Sequence, residues 1–290
     1  MTELSDRPWE AGEAYPWSGH VLRHLGLVLD FDDDRLVTTM AAGPHVIDDD
    51  GRLLLGALGL LIDLPAGVLS IQHIQPDWTV TFDVDAHVVN RPLVGPELVS
   101  TGEVVRIGRN NVITEARVVD GSGLMVGHGL ITFTRLPRTP EMQAPIPPRE
   151  RRELVDPVPA DGHTFIDHYM GFQIDHRGGT LTFDPGRRVA NALGAIQGGV
   201  TISAMSTAAG AAASRVLGRR AMATDVHVYY IGLGKVGPYQ TRTEVLHHDD
   251  NEALVRCSLV DTGADDRLLA LGTVSTRARS AATVDRPASG

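Results

Sequence analysis

The stretch DVDAHVVNRPLVGP, Asp83 to Pro96, is matched without a gap by DVHVYYIGLGKVGP, Asp225 to Pro238. The offset is 142 residues, and Asp83/Asp225, Val84/Val226, Val94/Val236, Gly95/Gly237 and Pro96/Pro238 are identical. Further anchors follow in the same order at nearly the same offset. Leu25-Gly26-Leu27 pairs with Met170-Gly171-Phe172, Asp120-Gly121 with Asp261-Thr262, and Asp48 to Asp63 with Asn191 to Ser206 at offset 143. Chance is a poor explanation of such ordered matches, which point to duplication of one unit of roughly 110 residues.

Outward from these anchors, the units are expected at residues 15–136 and 163–278. The connector 137–162 holds seven of the chain's 17 prolines, within Pro137 to Pro159, and reads as an extended spacer. Residues 279–290 are small and polar and read as a flexible tail. Each unit has one layout: a short helical segment and a strand ending near Met40 or Phe183, a loop, a long apolar helix from near Gly56 or Gly199, then strands only. Val80 to Val88 alternates, with Val80, Phe82, Val84, Ala86 and Val88 on one face and Thr81, Asp83, Asp85 and His87 on the other. Val112 to Val119 and Leu124 to Phe133 are expected strands joined by the turn Asp120-Gly121-Ser122-Gly123. The second helix should end at Gly218, while Pro65 should kink the first or break one of its backbone bonds. A helix followed by an antiparallel meander predicts an α+β protein whose sheet wraps each helix.

Composition narrows the function. A formal charge of −10 argues against nucleic acid or an anionic membrane surface as partner. A single cysteine, Cys257, leaves neither a disulfide framework nor a multi-cysteine zinc site. MTELSDRPWE is not a signal peptide, and Asp63, Pro65 and the glycines of Leu53 to Ile74 argue against a membrane span, so the chain reads as cytoplasmic. Gly232-Leu-Gly234-Lys-Val-Gly237 matches a dinucleotide fingerprint, but Pro238 and a strand-like YQTRTEV follow it where that fold requires a helix. The run His247-His248-Asp249 is a poor metal site, because adjacent residues on one turn seldom converge; no metal and no cofactor are expected.

A central helix wrapped by an antiparallel sheet, with glycines at its start and a carboxylate two turns in, resembles the hotdog fold. More narrowly it resembles the acyl-CoA thioesterase branch that includes 4-hydroxybenzoyl-CoA and phenylacetyl-CoA-type enzymes, whose pattern is Asn-x-x-Gly-x-x-His-Gly-Gly and then an Asp or Glu seven residues on. The second copy reads Asn191-Ala-Leu-Gly194-Ala-Ile-Gln197-Gly198-Gly199, with Ser206 where the acid belongs. The first reads Asp48-Asp-Asp-Gly51-Arg-Leu-Leu54-Leu55-Gly56, with Asp63 in the acid position. One copy keeps the loop and loses the acid; the other does the reverse. The resemblance covers most of residues 20–135 and 163–278 and implies two tandem hotdog units packed as a pseudo-dimer, with further assembly into a homo-oligomer.

Seven residues at about 1.5 Å rise separate the acid from its own helix start by roughly 10 Å, so acid and loop must come from different helices. Antiparallel helices across a pseudo-two-fold would supply that, as the family's dimers are understood to do. The expected composite site is Asp63 facing Asn191, Gln197, Gly198 and Gly199, the first-turn N–H groups holding an oxyanion while the carboxylate acts as base or nucleophile. The reciprocal site, Ser206 facing Leu54, Leu55 and Gly56, lacks an acid and a polar loop and is expected to be dead. Arg106 and Arg109, at the turn VVRIGRNN, occupy a place that lies near coenzyme A in related thioesterases.

Each residue also has a plain structural reading. Asp63 could be satisfied by a neighbouring N–H, although an ionisable group in LLLGALGLLIDLPAG is costly unless used or paired. Asn191 and Gln197 could be loop and cap residues, Gly198-Gly199 could serve tight packing, Ser206 could be a packed small residue, and the arginines could belong to a solvated hairpin. The leading expectation is hydrolysis of an acyl-CoA. The alternatives are a non-catalytic acyl-CoA or lipid-binding module and, less favoured because no D-x-N-P-x-H loop is present, a hotdog dehydratase or hydratase.

Overall fold

The computed structural model describes residues 14–48, 53–89, 97–139, 146–156 and 165–279. In chain order the elements are α1 (Val21–His24), β1 (Leu27–Asp32), β2 (Arg35–Ala41), α2 (Leu55–Ile74), β3 (Trp78–Val88), β4 (Glu97–Ile107), β5 (Asn111–Asp120), β6 (Met125–Leu136) and β7 (Arg152–Leu154). Then follow α3 (Ile166–Tyr169), β8 (Gln173–Asp175), β9 (Thr180–Phe183), α4 (Gly198–Leu217), β10 (Ala221–Tyr230), β11 (Tyr239–His248), β12 (Glu252–Asp261) and β13 (Arg267–Ala278). All strands join one 13-stranded antiparallel sheet in the order β7-β1-β2-β4-β5-β6-β3-β10-β13-β12-β11-β9-β8. Apart from β7, the sequence of strands outward from β3 repeats outward from β10.

The seam between the halves is the β3–β10 pair, and its register is informative. His227 lies opposite Asp85, Val226 opposite Ala86 and Asp225 opposite His87. His227 is Asp85 displaced by 142 residues (227 − 85), the repeat offset, so the central position of the seam faces its own counterpart.

The two long helices cross inside the sheet with almost no space between them. A Cβ built on Gly56 would fall 2.2 Å from Ser203 Oγ, one on Gly199 2.8 Å from Leu60 Cα, and one on Gly59 2.6 Å from Ile202 Cγ2. Gly56–Ser203 and Leu60–Gly199 are the same contact shifted by 143 positions, and Gly59–Ile202 maps onto itself. Glycine is required here because backbone meets side chain at less than van der Waals distance. One apolar core spans both helices and both halves of the sheet. Helix α2 is buried along almost its whole length, which accounts for its apolarity on every side; it is long and apolar enough to cross a membrane, a test that the buried core helix of a soluble protein also passes.

Helix α2 runs through Pro65 to Ile74, held by packing on every side. Two expectations need correction. The connector is not only a spacer, because Arg152–Leu154 adds β7 to the edge of β1, pairing Leu27 with Leu154 and Leu29 with Arg152. The alternation of β3 reverses part-way: a bulge between Thr81 and Asp83 in its pairing with β6 leaves Phe82 48% exposed and turns Thr79 and Thr81 inward. Other readings hold. Helix α4 ends at Gly218 with φ 66°, and the Gly232–Gly237 motif lies in the loop from β10 to β11 with no helix after it. Residues 49–52 of the first loop and 280–290 of the tail lie outside the described residues.

Candidate active site

Helix α2 carries Asp63 to the N-terminus of α4. The carboxyl is 6% exposed, and a charge so placed needs partners. It finds them on other elements. Gln197 Nε2 donates to Oδ2 at 2.5 Å, the Gly199 N–H donates to Oδ2 at 3.2 Å, and the Thr81 hydroxyl donates to Oδ1 at 3.4 Å. Gln197 uses both ends of its amide, because Oε1 also accepts from the Val200 N–H at 3.0 Å and so caps α4. Burial pushes the Asp63 carboxyl up to about 6, against the opposing pull of the Gly199 N–H and the Thr81 hydroxyl.

Gly198 permits this approach. A Cβ there would lie 2.7 Å from Asp63 Oδ1 and 2.9 Å from Thr81 Oγ1. The Gly198 carbonyl accepts from the Tyr230 hydroxyl at 2.7 Å, which ties the glycine turn to the end of β10. Asn191 does not reach Asp63. Its Oδ1 accepts from the N–H groups of Leu193 at 2.9 Å and Ala195 at 3.1 Å, so it shapes the loop that delivers Gln197.

These groups line a chamber of about 350 Å³. Leu64, Val68, Ile71, Trp78, Phe133 and Ile196 supply much of its apolar wall, and Tyr15, Thr79, Arg152, Thr201 and Arg267 are among its other polar residues. Tyr15 is pushed far above the usual phenol range by burial and by the Asp63 charge. Arg152, whose Nη2 donates to the Tyr15 carbonyl at 2.8 Å, is pulled below its ordinary value by burial. An apolar chamber ending at a buried carboxyl and a helix N-terminus suits a neutral carbonyl compound with an apolar body.

Arg106 and Arg109 are exposed at the β4–β5 turn and do not line the chamber, whose lining arginines are Arg152 and Arg267. Leu54, Leu55, Gly56 and Ser206 do converge, around a second chamber. The expectation that this side lacks an acid is corrected, because Asp167 of α3 lines the chamber too. Sequence reasoning missed Thr81, Tyr15, Tyr230, Arg152 and Asp167. Thr81 was hidden by the bulge, and Tyr15 and Arg152 lie outside the repeated blocks. Among the described residues no group of three or more His, Cys, Asp or Glu is placed to hold a metal.

Solved structures share this architecture. A protein of Novosphingobium aromaticivorans assigned as a thioesterase superposes with TM-score 0.58 at 17% identity, covering 87% of this chain and 98% of its own. The TesB protein of Mycobacterium avium subsp. paratuberculosis does so with TM-score 0.56 at 12% identity over 90% and 98%. An acyl-ACP thioesterase from Bacteroides thetaiotaomicron gives TM-score 0.53 at 14% identity over 84% and 98%. The chain shares the fold of these structures. No protein-family model and no curated protein sequence matches it. At such identities the likeness is one of backbone, so the chemistry has to come from the site itself.

Proposed function

We propose that the chain is two tandem hotdog units packed as a pseudo-dimer, and that it hydrolyses an acyl-CoA at one composite site between them. The observation that carries this reading is the buried Asp63 carboxyl of one half bonded to the Gly199 N–H and Gln197 amide of the other, at the end of an apolar chamber. The acyl group would occupy the chamber, with its carbonyl oxygen at the first turn of α4, where the helix dipole favours developing negative charge, the Gly199 and Val200 N–H groups being engaged by Asp63 and the Gln197 amide. Asp63, with its carboxyl near 6, is largely ionised at neutral pH and basic enough to take a proton from water as the water oxygen attacks the carbonyl carbon. The carbon–sulfur bond then breaks and the proton passes to the departing thiolate, leaving free acid and thiol. Gln197 and Thr81 hold the carboxylate, Asn191 positions the loop, and Arg267 at the rim offers positive charge for the coenzyme's phosphates.

A non-catalytic acyl-binding module is the second reading. It is favoured by the departure at Gln197, which stands where the resembling family has His. Thiol release measured over short, medium, long and aromatic acyl-CoAs separates the two. Turnover that disappears in Asp63→Asn supports hydrolysis; binding without turnover on any of them makes the chain a binding module.

A further inference from the structure

The short strand β7 carries two arginines with opposite surroundings. Arg151 is exposed and donates to Glu153 at 3.0 Å and to Asp30 at 3.4 Å. Arg152 lies directly opposite Leu29 of β1, and residues paired in this way share a face of the sheet. Leu29 and Leu154 are each 2% exposed, so that face is the inner one, and Arg152 lines the Asp63 chamber with them. A guanidinium on a core face is costly unless an anion meets it. Among the described residues none does. Its hydrogen bond goes to the Tyr15 carbonyl at 2.8 Å, and Glu150, whose field reaches it, is exposed and forms no ion pair with it. That single bond leaves most of its five N–H donors open.

Tyr15 lines the chamber beside it. Burial and the Asp63 charge raise the Tyr15 phenol and Arg152 lowers it, so it lies within the fields of both and stays a neutral O–H donor. The chamber follows α2 from Asp63 through Val68 to Ile71, about 12 Å along the axis, and Tyr15 packs against the cluster of Ile71, Trp78 and Ala192. Asp63, Arg152 and Arg267 are the charged residues that line it. Arg267 is exposed and belongs to the mouth, where a coenzyme's phosphates stay in water; Arg152 is half-buried among leucines.

We propose that Arg152, with the Tyr15 hydroxyl, receives a carboxylate at the end of the acyl group remote from the thioester, so that the substrate class is the monothioester of a dicarboxylic acid. This rests on the hydrolytic reading of the site given above. The neutral thioester carbonyl meets α4, the methylenes meet Leu64, Val68 and Ile71, and the charged end meets the guanidinium. The length of the chamber keeps that carboxylate away from Asp63. Hydrolysis then leaves the free diacid and the thiol.

The test compares suberoyl-CoA with octanoyl-CoA, which share a chain length and differ in the terminal group, by thiol release from the full chain at pH 8. kcat/KM should favour suberoyl-CoA by about ten- to a hundredfold, the worth of a hydrogen bond to a charged group. Arg152→Met should bring that ratio to about one, and Arg152→Lys should keep part of it. A second arm needs no turnover: in calorimetry octanoate should bind more tightly than octanamide, and the difference should vanish in Arg152→Met and persist in Arg267→Met. No thiol release from either thioester, with octanoate still preferred, would remove the hydrolytic reading and leave the carboxylate subsite standing. Equal kcat/KM for the two thioesters in an active wild type, octanoate bound no better than octanamide, or a preference that survives in a folded Arg152→Met protein would each overturn the subsite.

Discussion

Asp63 is held in a state that costs the fold stability. Its carboxyl titrates near 6 instead of 3.8, so the folded protein prefers the protonated acid. The associated stability is complete below pH 3.8 and is lost as pH rises toward 6, at a cost of up to about 3 kcal/mol for a shift of this size. Asp63→Asn should therefore unfold at higher temperature than the wild type at pH 8, with the difference vanishing near pH 4, as calorimetry can show. The same substitution should lower turnover at least about a hundredfold, the usual scale for losing an acid–base group. In the wild type kcat/KM should climb with pH up to about 6 and level off above it. Thr81→Ala removes one bond that holds the carboxylate, so the rising limb of that profile should move to higher pH; an unmoved limb would leave Thr81 without influence on the acid. Asp63 and Gln197 were legible as candidates because the repeat and the family pattern placed them. Thr81 was not, because strict alternation puts it outward and nothing in WTVTFDVDAHV marks the bulge that turns it in.

At the scale of elements, the site depends on how closely α2 and α4 approach. Gly198→Ala places a methyl 2.7 Å from Asp63 Oδ1 and should displace the carboxylate from the Gly199 N–H. Turnover should then fall further than in Gln197→Ala, which leaves that N–H in place, while unfolding temperature changes little. Gly56→Ala should act on stability alone. Its Cβ would meet Ser203 Oγ at 2.2 Å, and overpacking of this kind costs about 1–3 kcal/mol. Combining it with Ser203→Gly should recover part of the loss in chemical denaturation, and strict additivity of the two changes would show that they do not share this contact. The helices and their caps were readable from apolar runs and glycine positions. The crossing was inferred only from the need to join one copy's acid to the other's loop. Asp167, in a four-residue helix with no repeated acid opposite it, gave no signal.

For the whole molecule a homo-oligomer is expected, and the outer face of the sheet near the seam offers exposed aromatic surface to a second copy. Phe82 is 48% and Tyr229 47% exposed, and their rings pack edge to face at 6.4 Å. Replacing both by Lys should reduce the mass seen by light scattering, and a wild type that stays at 31 kDa at every concentration would remove the expectation. The seam itself has a further consequence, for heredity. Two identical N-terminal halves meeting in this register would set Asp85 against Asp85, and two C-terminal halves would set His227 against His227, whereas the joined chain sets Asp85 against His227. Two carboxylates directly opposite on neighbouring strands are disfavoured by roughly 0.2–1 kcal/mol. Once such a position has diverged, the N-terminal half has become a better mate for the C-terminal half than for itself. A gene cut in two between the halves should yield fragments that recombine as mixed pairs in preference to matched ones, so the fusion has become hard to reverse.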